Sequence, residues 1–234
     1  MLRKETVSEP TLELLKTLLQ DDLFKDFFLV GGTALALQIG HRLSIDIDLF
    51  TMNSFDEENL LSSIEDKYKF QLDYQRKNTL KGEIAGVKVD FITHNYPLVN
   101  PLLNIGGVRM ASLEDITAMK LNAISGSGTR IKDFIDIAYL STKLTLSEMI
   151  NAYEEKYASR NPAMVVKALD YHADIDFKEK VDMLDSNYKW KNTEIRLKQM
   201  TNHPHSLFSE TPDAKPEQEI KRDENYNRGR GFSR

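Results

Sequence analysis

Asp46 and Asp48 stand one residue apart in the apolar run Ile45–Phe50, and two adjacent glycines, Gly31 and Gly32, close an earlier apolar run, Phe27–Val30. In an extended strand alternate side chains share a face, so Asp46 and Asp48 fall on one side, about 7 Å apart, with Ile45, Ile47 and Leu49 on the other. Two carboxylates so placed suit a hard cation such as Mg2+, which takes oxygen donors. Tandem glycines allow a tight turn and close backbone approach. A helix predicted over Thr33–Ile39 would then offer free N–H groups to phosphate at Gly31, Gly32 and Thr33, with Gly40 placed to stop it. Ser44 lies two residues before Asp46 on the same predicted face, where its hydroxyl can bond a phosphate oxygen or a triphosphate's metal, or else cap a turn. Arg42 has the fork geometry to hold a phosphate or an acid. His41 reads as a structural hydrogen-bonding residue rather than a metal ligand.

An isolated Asp-x-Asp is more often a solvated strand face, and only its company changes that reading. The string GGTALALQIGHRLSIDIDLF, residues 31–50, resembles the signature of the DNA polymerase β-like nucleotidyltransferase superfamily. Within it the wording is similar to the AbiEii/AbiGii toxin family, and the likeness extends to about residue 140. The resemblance implies a third carboxylate on a neighbouring strand. Asp90, in Val87-Lys88-Val89-Asp90-Phe91-Ile92, is the candidate, since an ionised group among apolar residues is costly unless paired or metal-bound. Asp46, Asp48 and Asp90 are thus the expected metal ligands, and Asp90 can also accept the acceptor's proton. A second string, Lys120-Leu121-Asn122-Ala123 followed by Arg130-Ile131-Lys132-Asp133-Phe134-Ile135-Asp136, is similar to a later motif of the family. By that resemblance Lys120 would contact the nucleotide's phosphates and Asp133 would support the site. Asp136 shares a helix face with Asp133 and is open between site and structure. The loop Gly126–Arg130 lacks the extra basic residue that relatives often carry, so the basic contact is left open between Arg130 and Lys132.

The resemblance implies a Mg2+-dependent nucleotidyltransferase, with Mn2+ as an alternative ion. It would move a nucleoside monophosphate from an NTP to an acceptor hydroxyl on tRNA or protein, as the toxin of a toxin-antitoxin or abortive-infection pair with a cognate antitoxin. Two rivals stand beside it: a nucleotidyltransferase acting on a small molecule, and a catalytically silent nucleotide-binding regulatory module.

The 234 residues carry a formal net charge of −5, which argues against sequence-independent nucleic-acid binding through a broadly basic surface. With no cysteine, disulfides and thiolate zinc sites are excluded. No apolar run approaches a membrane span and none follows the N-terminal basic residues, so the cytoplasm is the expected location.

Helical spacing of leucines predicts a helix over residues 9–22, and Phe55–Tyr68 reads as another. Strands are predicted at Phe27–Val30, Ile45–Phe50, Phe70–Gln75, Thr79–Ala85 and Val87–Ile92. Ser112 with Asp115 starts a helix to about Ser125, followed by helices at Ile131–Leu140, Leu146–Tyr157 and Pro162–His172. Strands early and helices late predict an α+β fold, a mixed sheet with flanking helices. The expected units are a catalytic domain over 1–108, a helical domain over 109–200 that completes the cleft, and a disordered tail over 201–234. The tail's last ten residues hold three arginines, read as a solvated terminus before an RNA contact.

Overall fold

Alternation in two strands sets the centre of the molecule. In β2 (Ile47–Thr51) the side chains of Ile47 and Leu49 are buried, and in β5 (Val87–Thr93) so are those of Val89 and Phe91. Asp48, Phe50, Asp90 and Ile92 take the other face of the sheet. Beneath the apolar face Phe91 stacks on Phe24 with ring centroids 5.0 Å apart and meets Phe27 and Phe70 at 5.8 and 5.9 Å. Each such side chain contributes on the order of 2–3 kcal/mol by leaving water, which fixes the inward face and so turns the carboxylates outward.

The computed structural model describes residues 1–158 and 160–214. Strands β1 (Phe28–Leu29), β2, β3 (Gln71–Arg76), β4 (Thr79–Ile84), β5, β6 (Leu103–Ile105) and β7 (Val108–Met110) form one mixed sheet in the order β3–β4–β5–β2–β1–β7–β6. The pairs β2–β5 and β1–β7 are parallel and the others antiparallel. The helices are α1 (Glu9–Gln20), α2 (Gly31–Ile39), α3 (Glu57–Tyr68), α4 (Leu113–Gly126), α5 (Ile131–Leu140), α6 (Leu146–Lys156), α7 (Pro162–Leu169) and α8 (Trp190–Asn202). The mixed α/β class matches the expectation. At α4 the Ser112 hydroxyl accepts the Asp115 N–H at 3.0 Å, the cap that the Ser112/Asp115 spacing predicts. This helix lies over the carboxylate face of the sheet, bringing Ile116, Met119 and Lys120 to it.

Three expectations change. The strand bearing the aspartates begins at Ile47, so Ile45 is 70% exposed instead of sharing the core face. The cause is a competing set of partners: Leu43 N–H donates to the Asp182 carbonyl at 2.8 Å, Leu184 N–H to the His41 carbonyl at 3.1 Å and Ser44 N–H to the Thr6 carbonyl at 2.8 Å. These hold residues 41–44 away from the ladder.

The sheet also gains β6 and β7, so strand pairing runs to Met110, through the stretch where the sequence places the start of the helical unit.

Thirdly, residues 203–214, read as disordered tail from their polar composition, are packed. Asp213 is buried and accepts from Tyr139 Oη at 2.7 Å, Lys189 N at 3.0 Å and Asn192 Nδ2 at 2.8 Å. Arg196 lies over the Phe208 ring at 4.2 Å. Composition weighs a segment's mean polarity, whereas two side chains with specific partners suffice to dock it. Residues 215–234, the rest of that expected tail, lie outside the described residues.

Candidate active site

Strand register builds the site. Asp48 and Asp90 are paired across β2 and β5, and Lys81 on β4 is paired with Asp90, so an ammonium and two carboxylates cross three neighbouring strands in a row. Lys81 Nζ forms an ion pair with Asp90 Oδ2. Asp46, exposed just before β2, opens into the same cavity of roughly 400 Å3, a size suited to a small-molecule ligand.

The glycine turn forms one wall. Val30 N–H donates to the Asp48 carbonyl at 2.9 Å, which ties the start of α2 to β2. Gly31 has φ +71°, and a Cβ there would collide with the Asp48 carboxylate. At Gly32 a Cβ would stand 2.5 Å from Arg42 Nη2. Both positions therefore need glycine, for backbone conformation in one case and close approach in the other. No side chain caps α2, whose first turn faces the cavity. Burial, then the Asp90 and Asp46 carboxylates, pushes Asp48 up to about 6, against the pull of Arg130 and Lys81.

A second cluster of charge backs the cavity. Asp136, fully buried, accepts from Arg42 Nε at 2.7 Å and Nη2 at 2.9 Å, from His41 Nε2 at 2.6 Å and from Lys120 Nζ at 2.5 Å. Lys120 also donates to Asp133 Oδ1 at 2.9 Å. Burial alone would raise the Asp136 carboxyl, but Arg42 and Lys120 hold it well below the usual carboxylate range. Burial lowers His41 in spite of Asp136, so its neutral Nε2–H donates, and Nδ1 is buried without a hydrogen-bond partner.

The residues singled out from sequence separate accordingly. Gly31, Gly32, Asp46, Asp48, Asp90, Lys120, Arg130 and Asp133 line one cavity. Arg42 does not: its fork is taken up by Asp136, the acid-holding alternative rather than the phosphate one. Thr33 is buried, its hydroxyl donating to the Asp46 carbonyl and lying 2.9 Å from Ser44 Oγ. Thr33 and Ser44 thus brace the approach to Asp46 from behind. Lys132 pairs with Glu179 at 3.0 Å. Between the two basic candidates it is Arg130, 3.8 Å from Asp133, that reaches the cavity. His41 is structural, as expected, and Asp136 falls on the structural side.

Residues 13–223 match the family described as nucleotidyl transferase AbiEii toxin, type IV TA system. An uncharacterized protein of Aquifex aeolicus (strain VF5) is 35% identical over 168 residues, 69% of this chain and 81% of the relative. The chain belongs to the AbiEii nucleotidyl transferase toxin family. Among solved structures, MenT4, a nucleotidyltransferase toxin from Mycobacterium tuberculosis H37Rv, superposes with a TM-score of 0.56 at 13% identity, covering 80% of this chain and 79% of that one. JHP933 from Helicobacter pylori gives 0.51 at 19% identity, covering 85% and 93%. At those identities the likeness is one of fold.

This AbiEii chain is thus a nucleotidyltransferase of a toxin-antitoxin system, and the family implies a cognate antitoxin. No helix among the described residues is long and apolar enough to cross a membrane.

Its acidic row can be tested against the divalent ion expected for the reaction. Asp46, Asp48 and Asp90 offer oxygen donors only, and burial, then the two neighbouring carboxylates, raises the Asp48 carboxyl. Among the described residues no three His, Asp or Glu groups form a ready-made metal cage. Mg2+ keeps several waters and is commonly held by one or two carboxylates plus substrate phosphates. The donors therefore fit an ion that arrives with a triphosphate.

Lys81 and Lys88 were not singled out from sequence, yet both line this AbiEii cavity with the apolar Phe50, Ile92, Ile116 and Met119. Lys88 shares the alternating face of Asp90 within one strand, a signal the sequence holds. Lys81 emerges only from the β4–β5 register.

Proposed function

We propose that this chain transfers a nucleoside monophosphate from an NTP to an acceptor hydroxyl on RNA, with tRNA the expected class. The observation that carries the reading is the paired position of Asp48 and Asp90 in front of the uncapped Gly31–Gly32 helix start, within one cavity. Backbone N–H groups of the α2 first turn bind the phosphate oxygens, helped by the positive end of the helix. Lys120, fixed between Asp133 and Asp136, presents its charge from α4, and Arg130 closes the rim. Asp46, Asp48 and Asp90 would hold Mg2+ or Mn2+, which would supply an offset of charge at the α-phosphate and orientation of the triphosphate. The acceptor oxygen forms a bond to the α-phosphorus as the bond to pyrophosphate breaks, and the hydroxyl proton passes to Asp90. The apolar patch of Phe50, Ile92 and Met119 gives the nucleobase or an acceptor base a surface to lie on. Three cationic side chains at the cavity besides Lys120, namely Lys81, Lys88 and Arg130, favour a polyanionic acceptor.

Incubation of purified protein with each labelled NTP, Mg2+ and separated RNA, protein and small-molecule fractions tests this. Label is expected on RNA, and Asp48→Asn is expected to reduce transfer about 10³-fold, roughly 4 kcal/mol of transition-state stabilisation. Label confined to protein or to a small hydroxylated compound would replace the acceptor. Unchanged growth inhibition by Asp46→Ala and Asp48→Ala variants would favour the catalytically silent module.

A further inference from the structure

The four cations that line the cavity are held very differently. Lys120 is 6% exposed and fixed by two carboxylates, whereas Arg130 is 64% exposed and Lys88 is exposed at the rim. Lys81 lies between these cases. Its side chain is 41% exposed and has one ion-pair partner, Asp90, itself 21% exposed.

Position makes that single partner informative. Lys81 ends the row Lys81–Asp90–Asp48 across three strands spaced about 4.8 Å apart. It is therefore the countercharge of the carboxylates on which the proposed ion would sit. A dication held by Asp90 would neutralise the charge that holds Lys81 and repel its ammonium. The flexible four-carbon stem lets Nζ leave Asp90 without moving the strand, and the cavity shared with Gly31 and Gly32 is where anionic oxygens would take it up.

We propose that Lys81 is a placeholder cation: it neutralises Asp90 in the unloaded enzyme, yields that carboxylate to a divalent ion, and transfers its own contact to the triphosphate. The proposal rests on the reading of the cavity as a metal-triphosphate site. In this role Lys81 opposes the ion when nucleotide is absent and helps the phosphates when they are present, so its removal has effects of opposite sign on the two.

The probes are Mn2+ alone, followed by electron paramagnetic resonance of the free ion, and inorganic tripolyphosphate at saturating Mn2+, followed by calorimetry. Both are titrated into the full-length wild type and Lys81→Met. Loss of one competing unit charge is expected to tighten Mn2+ about three- to tenfold and to weaken tripolyphosphate about tenfold. Weakening of both, or no change in either, while the wild type binds both probes would overturn the placeholder role and leave the cavity reading standing. A wild type that binds neither probe overturns both. Lys81→Gln, titrated in the same way, decides the matter should Lys81→Met fail to fold.

Discussion

The two charge clusters of this molecule are built from the same residue types and behave in opposite ways. Around Asp136, three cationic or donor side chains converge on one buried carboxylate, whose acidity they strengthen. Around Asp48, burial and two neighbouring carboxylates weaken the acid, pushing it up to about 6. In the first cluster the Asp136 carboxylate has all its partners from within the protein, although His41 Nδ1 has none. The second sets three carboxylates beside an uncapped helix start, an arrangement that a divalent ion and the phosphates it carries would satisfy together. A buried ion-pair network thus holds Lys120 in place, and the open cluster is the one proposed to bind.

The largest effect should come from breaking the closed cluster. Asp136→Asn leaves Arg42 and Lys120 buried with too little countercharge, and a loss of about 3–5 kcal/mol in unfolding free energy is expected. Denaturant melts monitored by circular dichroism check it. A loss below about 1 kcal/mol would mean that water reaches this cluster and that it is not the closed counterpart of the cavity.

A smaller effect of opposite sign is expected in the open cluster. Asp48 has a folded pKa above its unfolded value of about 3.9, so the unprotonated form costs stability. The stability it contributes is fully present below about pH 4 and is lost as pH rises through about 6. Metal-free Asp48→Asn should therefore be more stable than wild type at pH 7, by on the order of 1 kcal/mol once partial exposure is allowed for. The advantage should vanish near pH 4. Asp136 has the reverse sign: its contribution is present above the unfolded carboxylate value and fades only as pH falls through its depressed folded value. Thermal melts of wild type and Asp48→Asn between pH 4 and 8 without divalent ions separate the two. A difference independent of pH would remove the cost of ionising Asp48, set by burial and then by its neighbouring carboxylates, as the distinguishing property.

The open cluster was largely legible because its parts are local. A glycine doublet and Asp-x-Asp announce themselves within twenty residues, and strand alternation places Asp90, with Lys88, on the face opposite Val89 and Phe91. Lys81 needed one further step. Ala85 and Gly86, with φ +51° and +78°, form the two-residue turn that pairs Ile84 with Val87, and counting back three on each side sets Lys81 against Asp90. The closed cluster was harder to read. Asp136 meets Arg42 across 94 positions of sequence, and no local periodicity encodes that contact. The three-residue strands β6 and β7 are too short to show alternation, and Asp213 docks on Tyr139, Lys189 and Asn192, which lie 74, 24 and 21 positions away.

Arg130 and Lys132 sharpen the division at its edge, since sequence left the basic contact open between them. They are two residues apart at the start of α5, yet Arg130 opens into the cavity while Lys132 is paired with Glu179. Lys132→Ala removes a partly exposed ion pair, worth about 0–1 kcal/mol, and should leave the KM for NTP within about twofold of wild type. Arg130→Ala removes a cation from the cavity and should raise that KM about tenfold with little change in melting temperature, because its side chain is 64% exposed. Steady-state kinetics on both variants measure the difference. A rise in KM of equal size in both variants would return Lys132 to the phosphate site, and no rise in Arg130→Ala would remove Arg130 from it.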